Sequence, residues 1–541
     1  MTNKFDVFDS KFAQDIYLQK YSLDKQETWA DTCKRVVSSV TGQLLSKEDQ
    51  DEILKIMVER KFIPGGRYLY SAGRQWHQVN NCFLFRAEDS SESWADVMQK
   101  GTAALLSGGG VGFDYSLLRQ DGAYLKRKGG TSTGPIALMN MVNEAGRYIM
   151  QGGQRRSAIW AGLNWAHGDI EKFLKLKDYS PELKALKEKD FNFPLPMEGT
   201  NISIIYDTEF FIAIEDTKHP KHKQSKQVWL ENCRQSFSTA EPGMSMNFRK
   251  DAESLRNACT EVVSEDDSDK CNLGTVWLNR IKDKEDLRHT VKYSTIFLIC
   301  GGIYSDTPTD KIKQVGSKNN RIGLGLGGIH EWLMLRGEDY EVTPELHSWL
   351  SIYEQESDSA AFIAAKQLGV SVPKGVRAIA PTGTIGIIAE TTTGIEPLFC
   401  KSYKRRYLRG TEWVHQFVVD GSVKRLLAQG VKLENIKDSY DLSFKQRVKF
   451  QADVQNYVDM SISSTCNLPS WGSEQNNEET LKSNAKILLK YAKRLRGFTT
   501  YPDGSRGGQP LTRVSLEEAL KNEGMIFEEV ERECLNGVCG F

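Results

Sequence analysis

The chain has 541 residues, 39% of them hydrophobic and 26% charged, with 71 Lys plus Arg balanced against 71 Asp plus Glu. That length suits one large core or roughly two to four ordinary domains, and the composition is that of a globular rather than a disordered chain. The even charge provides no broad field for a nucleic-acid backbone or an anionic membrane, so neither is expected as a partner, although local basic clusters can still hold single phosphates. The opening MTNKFDVFDSKFAQD carries acidic residues early and no apolar core, so it does not read as a secretory signal, and no apolar run is long enough to span a bilayer. A cytoplasmic location follows as the default. Ten cysteines in a chain of this length are too few for a disulfide scaffold, and with eight histidines they form no zinc-like spacing, so no metal site is expected.

Residues 1–60 read as a helical N-terminal region, with no glycine before Gly42. Over 61–135 glycines cluster as Gly65-Gly66, Gly108-Gly109-Gly110-Val111-Gly112 and Gly129-Gly130, loops between short apolar runs as in an α/β protein. Residues 136–150 look helical, 175–200 look like polar surface, and 201–400 alternate strand-like runs with helices. Residues 377–389 predict a strand, a tight glycine loop and a helix. From about 507 the chain turns loop-like and charged, ending in Cys534 and Cys539.

Five groups of residues can carry chemistry. In Asn257-Ala258-Cys259-Thr260-Glu261, amide, thiol and carboxylate recur at every second position. On a helix the first two would lie about 200° apart; on an extended segment all three share one side and surround one small molecule. The same spacing also fits an inert buried thiol, since free cysteine is commonly a small core residue. Cys271, in Cys271-Asn272-Leu273-Gly274, and Cys82, in Asn81-Cys82-Phe83, each read singly as core cysteines. Cys534 and Cys539 are harder to read as core: chain ends are usually exposed, an exposed thiol is a liability unless used, and Gly537 lets the pair close a small loop. In Pro381-Thr382-Gly383-Thr384-Ile385-Gly386, hydroxyls and backbone N–H groups at a helix start can take a phosphate, although many tight turns look alike and bind nothing. Gly110, in the glycine run, allows a ligand to approach the backbone, and the clusters Lys126-Arg127-Lys128 and Arg155-Arg156 either face solvent or clamp a nucleotide phosphate.

Taken in order from about Pro64 to the C-terminus, these pieces resemble the catalytic large chain of ribonucleotide reductases. The resemblance is carried by PGGRYLYSAG (64–73), NCF (81–83), SGGGVGFDYSLLR (107–119), GGTSTGP (129–135), GGQRRSA (152–158), EPGMSMNF (241–248), NACTE (257–261) and CNLG (271–274). It continues through NRIGLGLGG (320–328), APTGTIG (380–386), TGIEPLF (393–399), YPDGSRGG (501–508) and the Cys-x4-Cys tail. The pieces are weak singly and specific in their joint order. PTGTIG, TGIEP, YPDGSR and the short spacing from Cys259 to Cys271 look like the adenosylcobalamin-dependent class II. The radical-relaying tyrosine pair of class I large subunits stands here as Tyr501-Pro502, with the second tyrosine missing. Class I, with no cofactor in this chain and a radical from a separate metal subunit, stays as the alternative. No Asp-x-His-x-x-Gly cobalamin motif occurs, and class II is not expected to use one. No ATP-cone domain is expected ahead of the catalytic region, and a chain this short suits a virus-encoded enzyme acting in a host cytoplasm.

The resemblance implies a ten-stranded α/β barrel of two parallel five-stranded halves over 61–507, with a catalytic finger loop inside and a flexible redox tail at 508–541. It implies that Cys259 carries the thiyl radical and removes the 3′ hydrogen of the ribose, that Glu261 takes the 3′-hydroxyl proton, and that Asn257 holds the sugar hydroxyls. Cys82 and Cys271 supply a proton and two electrons and end as a disulfide, which Cys534 and Cys539 reduce before passing the electrons to thioredoxin or glutaredoxin. Asn81, Gly110, Pro381, Thr382, Gly383, Thr384 and Ile385 bind the substrate, with Thr382, Thr384 and the backbone amides around Gly383 at its phosphates. Deoxynucleotide effectors bind near Lys126, Arg127, Arg155 and Arg156, with monomer and homodimer both open. A glycyl-radical barrel enzyme would carry its radical glycine where the cysteine pair stands, and a non-catalytic nucleotide-binding relative would have lost some of Cys82, Asn257, Cys259, Glu261 or Cys271.

Overall fold

The computed structural model describes residues 7–126, 129–151, 155–190, 193–409, 412–505 and 511–528. Near the N-terminus three helices, α1 (Lys11–Lys20), α2 (Trp29–Thr41) and α3 (Lys47–Val58), start at Ser10, Thr28 and Ser46, each accepting a hydrogen bond from a first-turn backbone N–H. In α2 the buried Cys33, Val36, Val37 and Val40 recur at helical spacing and form one apolar stripe. That stripe packs on α4 (Lys284–Tyr304), which runs along α5 (Pro344–Gln367).

The body is mixed α/β, built on one ten-stranded sheet. Five strands are parallel neighbours in sequence order: β1 (Cys82–Arg86), β2 (Gly110–Asp114), β3 (Ile159–Asn164), β4 (Thr200–Tyr206) and β5 (Gly243–Met246). β1, β2 and β5 are buried along almost their whole length, as in strands covered on both faces. A second set runs the other way. β6 (Asp269–Trp277) pairs parallel with β7 (Ile322–Gly327), and β8 (Thr465–Leu468) pairs parallel with β9 (Gly497–Pro502). The sets meet antiparallel on both sides, β6 on β1 and β9 on β5. Phe62–Pro64 adds a short strand against β6. Between β7 and β8 lies the extended segment 376–379: Ala378 N–H donates to the Leu324 carbonyl at 3.1 Å, and Ile379 N–H to the Ser461 carbonyl at 3.2 Å.

Between β5 and β6 the chain makes a narrow hairpin, Leu255–Arg256 paired with Val263–Ser264. It rests on bare backbone. A Cβ placed on Gly112 would lie 1.8 Å from the Arg256 carbonyl oxygen, and one on Gly110 would lie 3.0 Å from the Ala258 Cβ. Two glycines of the run, Gly110 and Gly112, thus make room for the protein's own hairpin.

The predicted strand, loop and helix at 377–389 appear as the extended segment and α6 (Gly383–Ala389). Thr382 (φ 51°) and Glu390 (φ 57°) flank α6 in the left-handed region, which costs a non-glycine residue about 1–3 kcal/mol unless its surroundings hold it there. The expectation of a flexible tail from 508 needs correction. Residues 511–528 supply Leu511–Arg513, a helix Leu516–Lys521 and Ile526–Glu528, and the two strands flank the hairpin Ser402–Arg409/Glu412–Val419 in a four-stranded antiparallel sheet. The apolar Leu516 and Ala519 pack beneath that sheet, and the charged composition around them had masked this. Among the described residues no helix is long and apolar enough to cross a membrane.

Gly112→Ala is expected to push the hairpin off its seat, lowering stability by at least about 2 kcal/mol in denaturant unfolding because the clash is with backbone that cannot turn aside.

Candidate active site

The hairpin tip, residues 257–262, lies between the two strand sets. Asn201 on β4 donates its side-chain N–H to the Ala258 carbonyl at 3.0 Å, and the Ser461 N–H donates to the Glu261 carbonyl at 2.9 Å. The tip is a turn and not the extended segment that the alternate spacing suggested. Thr260 N–H donates to the Asn257 carbonyl at 3.1 Å, with Thr260 at φ 69°. Asn257 closes the turn from inside by accepting the Val262 N–H at 3.0 Å on Oδ1. Convergence of the three polar side chains therefore comes from the turn and not from strand alternation.

A buried hub holds the base of the hairpin. Asp269, fully buried at the start of β6, accepts from Ser264 Oγ at 2.7 Å, Arg321 Nε at 2.8 Å and Asn319 Nδ2 at 2.8 Å. One carboxylate so ties the hairpin to β6 and to the chain entering β7. Arg256 is buried too, donating to the Glu253 carbonyl at 2.6 Å and to Asn247 Oδ1. Sequence reasoning missed Asp269, Arg321 and Ser461. The first two look like ordinary charged residues, and Ser461 acts through its backbone, which leaves no signal in side-chain identity.

The cysteines expected to work together are adjacent. Cys82 on β1 stands directly opposite Cys271 on β6. Opposed residues of an antiparallel pair have Cα atoms about 4.5–5.5 Å apart, inside the window of about 4.4–6.8 Å that a disulfide needs. Asn257 Nδ2 donates to Cys82 Sγ at 2.9 Å, and Cys82 Sγ lies 4.0 Å from Glu261 Oε1. Cys259, partly exposed at the tip, is near enough for its charge to act on Cys82. Asn81 joins the group through its backbone, its N–H donating to the Cys271 carbonyl at 3.0 Å while its carbonyl accepts from Gly110 at 2.8 Å. The Asn81 Oδ1 and the Glu261 Oε2 are buried with no hydrogen-bond partner among the described residues.

Burial governs the electrostatics. It pushes both thiols well above their ordinary range, helped by the Glu261 charge at Cys82 and by the Asp269 charge at Cys271. Both are therefore protonated at neutral pH, ready to give hydrogen and poor as free nucleophiles. Burial also raises the Glu261 carboxyl to about 7, against hydrogen bonding from Asn257 and from its own backbone. A carboxyl poised there can take and return a proton near neutrality.

The loop 381–385 begins at the wall of this site, because Ala378 and Ala380 pack in the same apolar cluster as Cys82, Cys271 and Val262. Pro381 and Gly383 are exposed, Thr384 is half-buried, and Thr382 and Ile385 are buried. The Thr382 hydroxyl has no partner, and a Cβ on Gly383 would meet open space. Beyond α6 lies a cleft of about 840 Å³, walled by residues 9–12, by 396–399 and by the four-stranded sheet, with Thr465 and Asn467 of β8 on its floor. The basic residues are elsewhere. Lys126 is exposed in a turn closed by the Tyr124–Thr131 bridge, and Arg155 and Arg156 form a short strand against Met150–Gln151. Arg127, Cys534 and Cys539 lie outside the described residues.

Glu261 gives a prediction with a definite sign. A carboxyl raised from its ordinary 4.5 to about 7 keeps its proton in the folded state, so its contribution is full below about 4.5, is lost as pH rises toward about 7 and levels off above that. The unfolding midpoint of Glu261→Gln should gain on the parent as pH goes from about 5 to about 7.5 and then hold level, and a constant difference would mean the carboxyl titrates elsewhere.

The family model described as "Ribonucleotide reductase, barrel domain" matches residues 80–348 and 374–501. The chain is 27% identical to the vitamin B12-dependent ribonucleoside-diphosphate reductase of Thermoplasma acidophilum, over 88% of this chain and 68% of that one. It is 25% identical to the protein of the same name from Mycobacterium tuberculosis, over 86% and 74% of the two chains. A Mycobacterium phage D29 protein, named for adenosylcobalamin-dependent ribonucleoside-triphosphate reduction, is 23% identical over 97% of this chain and 98% of its own.

Proposed function

The chain belongs to the ribonucleotide reductase family, and from that premise we propose that it makes 2′-deoxyribonucleotides by thiyl-radical chemistry at Cys259, as an adenosylcobalamin-dependent enzyme. The observation that carries this reading is the meeting of Asn257, Cys259 and Glu261 on one turn with Cys82 and Cys271 opposed beside it. The B12-dependent names of its relatives favour class II over the class I alternative.

The ten-strand ring is part of the proposal. The extended segment 376–379 bonds to β7 on one side and to 461–463 ahead of β8 on the other, which supplies the rung needed to close two five-stranded halves into a barrel around the hairpin. Enclosure keeps water and side reactants from a radical.

In this reading Cys259 takes the 3′ hydrogen of the ribose, while Glu261 accepts the 3′-hydroxyl proton on the oxygen that has no partner among the described residues. Asn257, already donating toward Cys82, holds the sugar hydroxyls. The 2′ oxygen leaves as water with a proton from the thiol pair, the pair's second hydrogen ends on the 2′ carbon, and the two electrons given up let Cys82 and Cys271 close as a disulfide. Cys259 returns its hydrogen to the 3′ carbon, so one dithiol is oxidised for each ribose reduced. Asn81, Gly110 and the loop Pro381–Ile385 position the substrate, with the Thr382 and Thr384 hydroxyls at its phosphates. Adenosylcobalamin, when bound, would supply the initiating radical. The cleft beside α6, of about 840 Å³, is of the size of a drug-like ligand site and would hold only part of so large a group. Leu398 and Phe417 provide apolar wall, Lys11 and Arg405 a polar rim, and Gly383 a face without a side chain.

Reduction of the disulfide falls to Cys534 and Cys539, recharged by thioredoxin or glutaredoxin. The ordered strand ending at Glu528 shortens their leash. The six residues from 529 to 534 span at most about 20 Å at roughly 3.3 Å each, so the sheet that carries 511–528 sets where the pair can reach. Deoxynucleotide effectors at the loops of Lys126, Arg127, Arg155 and Arg156, which bracket the helix Gly134–Arg147, and pairing into a homodimer complete the reading. Thiol-driven turnover suits a reducing cytoplasm.

The test is deoxynucleotide formation by the purified chain with a ribonucleotide, dithiothreitol and adenosylcobalamin. Activity should depend on the cofactor and vanish in Cys259→Ser. Activity restored only by a separate metal-bearing protein would make the chain a class I subunit. Cys534→Ser should block thioredoxin-driven turnover while sparing a single turnover by prereduced protein, and loss of both would assign the tail a structural role.

A further inference from the structure

The rear of α6 gathers more charge than capping a seven-residue helix requires. Arg60 donates to the Ile388 carbonyl at 3.0 Å, Arg280 to the Ala389 carbonyl at 2.8 Å, and Arg425 to the Glu390 carbonyl. Cations suit the carbonyl end of a helix, yet three together crowd one another: Arg280 is pushed down to about 10 by burial and by Arg60 and Arg425. The Glu390 carboxylate balances them, accepting from Arg60 at 2.8 Å in a pair whose side chains are only 6% and 5% exposed. The same carboxylate accepts two backbone N–H groups from the far end of the chain, Asp9 at 3.0 Å and Ser10 at 2.8 Å. Ser10 caps α1, and α1 packs on α6. Glu390 does this from a left-handed backbone (φ 57°) that glycine would adopt without strain. A strained residue persists where its side chain or its surroundings demand it, and here the side chain reaches partners that glycine could not.

We propose that Glu390 is a positioning residue that latches the N-terminal segment 9–10 to the rear of α6 and so fixes the loop 381–385 at its front. The proposal rests on the reading of that loop as the substrate-phosphate loop. Because α6 has only two turns, its ends move together. A clamp on Ile388, Ala389 and Glu390 holds Thr382 and Thr384 as well. Arg425 extends the clamp to Glu331 at 3.0 Å, so α6 is fastened to the N-terminal region and to the body at once.

The test uses the full-length chain with Glu390→Gln, which keeps the shape and removes the charge. Backbone amides of 383–389 should exchange hydrogen about tenfold faster, and, at saturating adenosylcobalamin because Glu390 and residues 9–10 also line the cofactor cleft, the ribonucleotide KM should rise about tenfold with kcat within about twofold, as expected for losing hydrogen bonds to one charged group. Glu390→Gly, despite relieving the backbone, should loosen α6 at least as much. Arg60→Gln should speed exchange of the same amides, and the double variant should fall short of the summed effects. It also serves as the test if Glu390→Gln does not fold. Unchanged exchange in Glu390→Gln or Arg60→Gln overturns the latch, as does a fall in kcat at constant KM. Thr384→Val separates the two claims. If it leaves KM unchanged while Glu390→Gln still speeds exchange, the phosphate reading of 381–385 falls and the latch stands.

Discussion

Everything at the centre of this protein depends on one steric fact: the carbonyl of Arg256 lies where a side chain on Gly112 would have to be. A hairpin carrying polar residues can sit against the inside of a sheet only if the sheet gives up side-chain volume there, and β2 does so at Gly110 and Gly112. The closeness also fixes register. With the hairpin backbone seated on β2, Asn257 reaches Cys82 and the Glu261 carbonyl reaches the amide of Ser461. The Asp269 carboxylate, with Arg321, Asn319 and Ser264, then locks the hairpin base to the strand that carries Cys271.

The same enclosure sets the chemistry. Two thiols and a carboxylate within reach of one another in open water would titrate independently near their usual values. Buried together they hold their protons, and the carboxyl moves close to neutrality. Low dielectric makes each charge costly, so the site favours hydrogen-atom and coupled proton transfers over steps that leave a bare thiolate behind. A surrounding that keeps water out protects an unpaired electron for the same reason.

Much of this was legible in the sequence. The helical character of the N-terminal region was legible in its lack of glycine before Gly42, and the polar trio at 257, 259 and 261 was visible as a pattern. The pattern was assigned to the wrong local geometry, because alternate spacing reads as a strand and only the contacts reveal a turn with Thr260 at positive φ. The glycine run was seen as permissive, but which body would approach it depends on a hairpin more than a hundred positions downstream. The pairing of Cys82 with Cys271 depends on sheet order, which no local signal carries. Residues 511–528 looked like tail because their few apolar residues pair with a hairpin far upstream in sequence. Glu390 gave no warning either, since its partners are backbone amides at the opposite end of the chain.

The opposed cysteines belong to different strand sets, β1 to the first and β6 to the second. A bond between them would therefore act as a rivet across the seam where the two sets meet. It would close a very long stretch of chain, the case in which a crosslink restricts the unfolded ensemble most. Oxidation would thus leave the folded architecture almost unmoved and yet make the molecule harder to pull apart. The protein's resistance to heat and proteases would rise and fall with its own turnover, and the spent form would be the sturdier of the two.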